Sequence, residues 1–355
     1  MSCPTLKQLP SPQYEKKHAE SNLNADWPWT KETPQLLDGS SLPRISIVTP
    51  SYNQGQFIEE TIRSVLLQGY PNLEYIIIDG GSTDNSVELI KKYEPWLTYW
   101  TSEKDRGQSH AINKGFQRVT GEIFAWLNSD DFFLPGALQR VAAEFHAQNG
   151  LAMMAGECIN VDIAGVEISR KQSNTFDPLV VLISGKPAQP ATFFHRRMLD
   201  EIGFLREDLH YPLDREYILR IGQHHYPKNT LNINVPLASA RIWDGAKTPT
   251  SNHRQAIEES KRVINMYLHL SPNSQRKLRN LAYRRVYINQ AVLENENGNT
   301  FKELLYWARA VYYMRDLPHI KKFFGRVKNV ILRSWLVNQL RQIRYNFSGS
   351  HSENM

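Results

Sequence analysis

Residues 44–135 carry three phrases: RISIVTPSYNQGQFIEETIRSVLLQ (44–68), LEYIIIDGGSTDNSVELIKKY (73–93) and LTYWTSEKDRGQSHAINKGFQRVTGEIFAWLNSDDFFLP (97–135). Each time, a short apolar run ends in polar, turn-forming residues and gives way to helical spacing. The runs Ile45–Val48, Tyr75–Ile78 and Ile123–Leu127 are rich in β-branched and aromatic residues and too short for buried helices. Their near-continuous apolarity suits strands of a parallel sheet covered on both faces. Between them Ile58, Ile62, Val65 and Leu66 share one helical face, as do Ala111, Ile112, Phe116 and Val119. Asn85 followed by Glu88 predicts a capping box on the second helix. The expected fold is α/β, a mostly parallel sheet flanked by helices.

In such sheets ligands bind beyond the carboxyl ends of the strands. Three polar clusters fall there: Thr49, Pro50, Ser51, Tyr52 and Asn53; then Asp79, Gly80, Gly81, Ser82, Thr83 and Asp84; then Asn128, Ser129, Asp130 and Asp131. No G-x-G-x-x-G follows the first strand and no G-x-x-x-x-G-K-[ST] occurs, so the dinucleotide and P-loop readings lose their support.

At these residues the sequence resembles the family 2 glycosyltransferases of the GT-A fold. The matching pieces are ISIVTPSYNQGQFIEETIRSVLLQ, IIIDGGSTDNS, EKDRGQSHAINKG and LNSDD, in this order, and the resemblance covers roughly residues 44 to 245. It implies a metal-dependent, inverting transferase that takes a nucleotide-diphosphate sugar, most simply a UDP-sugar. The acceptor would be a glycan or lipid-linked saccharide, as for bacterial polysaccharide-building relatives.

A divalent cation, Mn2+ or Mg2+, bridging diphosphate oxygens needs one or two carboxylates from the protein. Asp130 and Asp131 supply that pair; the competing reading is a solvated acidic turn or a helix cap. Family members more often carry Asp at the place of Asn128, and its absence shifts the metal onto Asp130 and Asp131, with Asp131 preferred. By the same resemblance, Asp79 accepts from the ring N–H of a pyrimidine, while Thr49, Pro50 and Tyr52 line the base pocket. The competing reading of Asp79 is a cap for the GGSTD turn. Asp105 and Lys114 fall on the family's nucleotide-side loop and helix, Lys114 with a solvated helix face as its alternative. Asp214 matches the family's catalytic base, opening a helix with Glu216 and Arg220 downstream; the alternative is an N-cap. The histidines show no metal-ligand spacing.

The full chain has 355 residues and a formal charge of +6, which suits anionic partners without choosing among them. Two cysteines, Cys3 and Cys158, make no disulfide framework, and no signal peptide or spanning helix is legible, so a cytoplasmic setting is expected. Residues 1–43, rich in proline, read as an extended or partly disordered arm that Trp27 and Trp29 could pin. The transferase domain is placed at 44–250, a helical module at 251–345 and a disordered tail at 346–355. Within the module, Arg315–Arg344 sets eight basic residues against Asp316 and reads either as a helix on the anionic inner membrane surface or as one docked on the catalytic domain. Strands are expected at Leu151–Cys158 and Gly165–Ser169 and in LNINVPLASARIW, a helix at Pro135–Phe145, and a polar loop at Ser173–Pro187. Two rival functions are a sugar nucleotidyltransferase, which would carry a Gly-rich basic loop where TPSYNQGQF stands, and a non-catalytic nucleotide- or glycan-binding protein. Nucleic acid is not expected as a partner, since charge alone prompts it.

Overall fold

The computed structural model describes residues 3–12, 26–36, 42–171, 176–184, 187–246, 254–267 and 275–313. Four strands arise from the quoted stretch: β1 (Ile45–Ser51), β2 (Leu73–Asp79), β3 (Tyr99–Ser102) and β4 (Ile123–Trp126), all parallel, in the order β3-β2-β1-β4. Every residue of β1 and β2 is buried, as two-sided cover demands. Their register sets Ser51 opposite Asp79 and Asp79 opposite Ser102, so the carboxyl ends of β1–β3 finish level with one another. That edge is where the polar clusters emerge.

Five further strands are β5 (Phe132–Phe133), β6 (Met153–Val161), β7 (Glu167–Lys171), β8 (Thr192–His195) and β9 (Thr230–Arg241). They extend the sheet as β4-β8-β6-β9-β5, with β7 on β6, to nine strands among the described residues. Here the sheet turns mixed: β8 is antiparallel to β4 and β6, β9 parallel to β6, and β5 antiparallel to β9. Pro236 stands inside β9 where its register with β6 slips at Glu157, a place where a missing N–H costs no ladder bond. The long β9 ends with Arg241 beside the β4–β5 turn.

Helices α1 (Ile58–Leu66), α2 (Ser86–Tyr93), α3 (Gln108–Phe116) and α4 (Ala137–Ala147) cover the sheet, followed by α5 (Pro178–Ser184), α6 (Arg197–Glu201) and α7 (Leu213–His225). Helix α3 lies so close to β1 that a Cβ on Gly115 would stand 2.3 Å from Val48 Cγ1. Beyond it, Phe116, Phe124, Trp126, Phe194 and Tyr217 form one aromatic cluster, with the Trp126 and Phe194 rings stacked at 5.7 Å. The cluster fastens α3 and α7 to β4 and β8.

Four expectations are corrected. Strand β3 goes beyond the three expected runs; it is a short, partly exposed edge strand whose apolar signal is weak. Leu179–Ile183, read as part of a loop, lies within α5, with Val181 and Leu182 buried. Asn85 occupies the N-cap of α2 but makes no capping bond; Ser86 N–H donates to Asp84 Oδ1 at 3.0 Å instead. Finally, the described parts of the N-terminal arm are built into the core rather than laid over it. Cys3, Leu9 and Trp27 are buried there, and Trp27 Nε1–H donates to the Phe133 carbonyl at 2.8 Å.

The chain divides into two compact units, Met1–Thr250 and Ser251–Met355. The second holds α8 (Arg254–Tyr267), α9 (Gln275–Glu296) and α10 (Thr300–Tyr312), packed through Ala256, Val263, Ala282, Val286, Trp307 and Ala310. Arg315–Arg344 and the expected tail lie outside the described residues.

Candidate active site

The loops after β1 and β2 clasp each other. Asn53 adopts a left-handed φ of 51°, which Asn tolerates better than most residues. In that pose its N–H donates to Ser82 Oγ at 2.8 Å and its Oδ1 accepts from Thr83 N–H at 2.8 Å. Gly55 N–H donates to Asp84 Oδ2 at 2.8 Å and Gln54 N–H to Ser86 Oγ at 3.0 Å. Thr49 is buried, its hydroxyl 3.1 Å from that of Tyr75, and Pro50 is buried beside it. Tyr52, 61% exposed, holds its ring out from the clasp.

Asp79 is fully buried, and its carboxylate is engaged by its own surroundings. Oδ2 accepts from Gly81 N–H (3.1 Å), Ser82 N–H (2.9 Å) and Ser102 Oγ (2.7 Å), while Oδ1 accepts from Ser82 Oγ at 2.5 Å. These bonds fold the GGS turn and tie it to β3. Asp105 lies over that turn: a Cβ on Gly80 would stand 2.6 Å from Asp105 Oδ2 and 3.4 Å from Tyr52 Cδ2. Asp105 Oδ1 accepts from Gly107 N–H at 2.8 Å. Lys114, on α3, forms an ion pair with Glu103, and that pair holds the Glu103 carboxyl below its ordinary range.

At the end of β4 the chain turns through Asn128–Asp131. Asp131 is 5% exposed, with Oδ1 accepting from Arg241 N–H at 3.0 Å and Oδ2 from Asn128 Nδ2 at 3.2 Å. Burial, and next the neighbouring Asp130 charge, push its carboxyl well above the ordinary carboxylate range. Asp130 is half-buried, and its Oδ2 accepts from Trp243 Nε1 at 3.0 Å. The turn's shape comes from Arg241, which bonds the carbonyls of Asp130, Asp162 and Ile163 and ion-pairs with Glu60 at 2.7 Å. Phe57 packs beneath the guanidinium, 4.8 Å from its ring centroid. Arg241 and Trp243 escaped the sequence reading; a lone Arg at the end of the apolar run LASARIW was the signal that could have found them.

Two adjacent carboxylates, one of them raised by its burial and then by the other's charge, suit a divalent cation that brings further oxygens of its own. Among the described residues no three His, Cys, Asp or Glu converge into a self-sufficient metal cage.

Asp214 stands in the first turn of α7. The N-cap there is Pro212, and no side chain caps the helix, so the capping alternative for Asp214 is not what the geometry displays. Its half-buried carboxylate makes no hydrogen bond or ion pair among the described residues. Glu216, by contrast, is buried and paired to Arg220 at 2.9 Å, and Arg220 also donates to the carbonyls of Ile202 and Phe204. The segment leading into α7 is laced to α3. Asn113 exchanges two bonds with the Leu205 backbone, Ser109 Oγ donates to the Leu209 carbonyl at 3.0 Å, and Arg106 pairs with Glu207 at 2.6 Å. From the start of α3, Gln108 donates to Asn128 Oδ1 at 2.7 Å, and Asn128 reaches Gln189 Oε1 at 3.3 Å. This amide chain brings the starts of α3 and β8 to the acidic turn.

Residues 46–201 match the model of glycosyl transferase family 2. An uncharacterized glycosyltransferase of Mycobacterium tuberculosis is 30% identical over 185 residues, 51% of this chain and 70% of that protein. A Bacillus subtilis protein named for teichuronic acid biosynthesis, TuaG, is 37% identical over 103 residues, 28% of this chain and 40% of its own. In fold, the chain is similar to Staphylococcus aureus TarS (residues 1–349) solved with UDP-GlcNAc, at a TM-score of 0.55 and 13% identity, covering 76% of this chain and 91% of that one. It is also similar to a Pyrobaculum calidifontis mannosyltransferase solved with GDP-Man and Mn2+, at a TM-score of 0.52 and 17% identity, covering 92% of each chain.

Proposed function

We propose, from the premise that this chain belongs to glycosyl transferase family 2 and is a glycosyltransferase of the GT-A fold, that it is a metal-dependent inverting enzyme using a UDP-sugar. The acceptor we assign to it is a glycan or lipid-linked saccharide. The observation that carries the reading is the Asn128–Asp131 turn, which sets two adjacent carboxylates at the end of β4 beside the clasped β1 and β2 loops. Thr49, Pro50, Tyr52 and the turn organised by Asp79 wall the nucleotide pocket, and Asp105 closes it. Lys114 exchanges its surface pair with Glu103 for the diphosphate, a swap that costs little because exposed pairs are weak. Asp130, the more accessible of the two carboxylates, and Asp131 behind it would hold Mn2+ or Mg2+. When bound, that cation would neutralise the departing diphosphate.

Asp214 takes the proton from the acceptor hydroxyl. With no hydrogen-bond partner among the described residues, its carboxylate at the first turn of α7 keeps its lone pairs for that proton. Attack from the face opposite the diphosphate inverts the anomeric carbon. Among the described residues no helix is long and apolar enough to cross a membrane. A peripheral position on an anionic inner face rests on the basic run 315–344.

The test is a panel of nucleotide sugars turned over by the full chain with Mn2+ or Mg2+, the product's anomeric configuration being read by NMR. UDP-sugar turnover that stops in chelator and falls at least a hundredfold in Asp131→Asn supports the assignment. Undiminished turnover in chelator removes the metal from it, and a retained configuration removes Asp214 as base.

A further inference from the structure

Helix α10 buries one side and exposes the other. Glu303, Trp307 and Ala310 are buried where the helix packs in its unit along α9. Phe301, Leu305, Ala308 and Tyr312, spaced four, three and four residues apart, share the exposed side. Phe301 is 79% exposed and Tyr312 60%; with Leu305 they are three of the nine large apolar side chains exposed among the described residues, all gathered on this one helix face. Lys302 and Arg309, seven residues apart and both exposed, stand together on one flank of the stripe. Neither meets a carboxylate among the described residues, and the Arg309 guanidinium lies over the rings of Tyr287 and Tyr306, 5.9 and 5.6 Å from their centroids. The acids of α9 and α10 do not offset these cations: Glu294 and Glu303 are buried, and the exposed Glu296 lies at the end of α9.

We propose that this face of α10 is a lipid-docking surface, lying in the plane of an anionic bilayer with Phe301, Leu305, Ala308 and Tyr312 at the acyl boundary. Lys302 and Arg309 then meet headgroup phosphates. The helix has 13 residues, about 20 Å of rise, too short to cross a bilayer. Its exposed side carries the two parts an interfacial helix needs, an apolar stripe and cations beside it. Tyr312 at the end of the stripe suits that boundary, with its ring toward the acyl chains and its hydroxyl toward the headgroups. A second copy of the chain fits the face less well, since it would bring its own Lys302 and Arg309 and no carboxylate on its stripe to meet them. The sequence beyond α10 keeps the same balance, eight basic residues to Asp316 over 315–344, which a layer of anionic headgroups matches and a second copy does not. The inference stands apart from the nucleotide-sugar reading. Joined to it, docking holds the enzyme at the surface where a lipid-linked acceptor resides.

The full chain is sedimented with vesicles of phosphatidylcholine alone and of phosphatidylcholine mixed with phosphatidylglycerol, at low and high salt. Wild type should bind the mixed vesicles at least about tenfold better than the neutral ones, and less well as salt rises. Phe301→Ser with Tyr312→Ser keeps every cation, the run 315–344 included, and should lower binding to the mixed vesicles by at least about tenfold. Lys302→Glu with Arg309→Glu keeps the stripe and should lower the preference for mixed over neutral vesicles by a similar factor, about tenfold or more. All four side chains are exposed, so the unfolding temperature of both variants should stay close to wild type. Binding unchanged by Phe301→Ser with Tyr312→Ser overturns the inference and leaves any membrane contact to the run 315–344. Equal binding of wild type to both kinds of vesicle, or binding to neither, overturns it as well. So does a wild-type dimer in analytical ultracentrifugation that becomes a monomer in the serine variant, which would make this face a contact between copies.

Discussion

At the ends of β1 and β2 the rim is held by neighbours in sequence: Asn53 and Gly55 bond to Ser82 and Asp84, each 29 residues away. The acidic turn after β4 is held from much farther, Trp243 reaching Asp130 across 113 residues and Arg241 reaching Glu60 across 181. Both regions end in carboxylates fixed by N–H donors, yet they arise differently. On the proposed nucleotide side, two polar loops complete each other as soon as parallel pairing brings them level. On the proposed cation side, the carboxylates depend on a guanidinium delivered by the last strand of the domain. Local polar turns can be read as they stand; a buried charge is intelligible only with its distant partner.

The largest effect expected lies across from both regions, at the start of α7. Asp214→Asn removes the proposed proton acceptor without disturbing a cap, since the N-cap of α7 is Pro212 and no side-chain bond caps the helix. It should lower kcat by about two to four orders of magnitude with UDP affinity within a few-fold of wild type. Steady-state kinetics beside calorimetry separate the two quantities. A kcat within a few-fold of wild type would sink the assignment, and Glu216 would be no ready replacement, being buried against Arg220.

The legibility of the chain follows the same division. Ile45–Val48, Tyr75–Ile78 and Ile123–Leu127 were readable as strands because each is apolar nearly throughout, and the rim clusters because turn residues follow each strand. Helix α1 shows the limit. Its sequence is amphipathic, with Ile58, Ile62, Val65 and Leu66 on one face, so Glu59, Glu60 and Arg63 look solvated. All three are buried. Arg63 donates to the carbonyls of Pro10, Pro28 and Trp29, Glu59 accepts from Tyr93, and Glu60 pairs with Arg241. A proline-rich arm with a few large apolar residues satisfies no periodic template. Its described parts still pack onto the domain, through Cys3, Leu9 and Trp27 in the core and through one buried guanidinium that collects their carbonyls. The Asp105–Gly80 approach was likewise illegible, since no sequence pattern announces which side chain fills the space a glycine leaves.

Breaking the buried pair should be the next largest effect. Arg241→Met removes one half of the buried Glu60–Arg241 ion pair, at a cost of about 3–5 kcal/mol read by urea denaturation. Glu60→Leu added to Arg241→Met removes the stranded charge and should recover part of that loss, because apolar replacements of buried pairs are often tolerated. Activity should not recover with it, since Asp130 and the backbone at Asp162–Ile163 lose their common anchor. Full recovery of both stability and turnover would mean that the acidic turn holds its own shape, and the contrast between the two sides of the rim would dissolve.

The smallest effect concerns the matching ion pair on the nucleotide side, Lys114 with Glu103. There Glu103 is 57% exposed, so the pair is screened by water and little of the fold rests on it. Lys114→Met should leave the melting temperature unchanged within error, in contrast to Arg241→Met. Its effect should appear in the donor instead. If Lys114 leaves Glu103 for the diphosphate, the donor KM rises several-fold while kcat stays close to wild type. Glu103→Gln then works in the opposite direction, because a lysine released from its carboxylate no longer has to give one up, and the donor KM should be equal or lower. The pair of variants distinguishes a ligand contact from a solvated surface pair. A donor KM unmoved by Lys114→Met, with Glu103→Gln equally silent, would leave Lys114 as a surface residue and pass the diphosphate's neutralisation to the Asp130–Asp131 side.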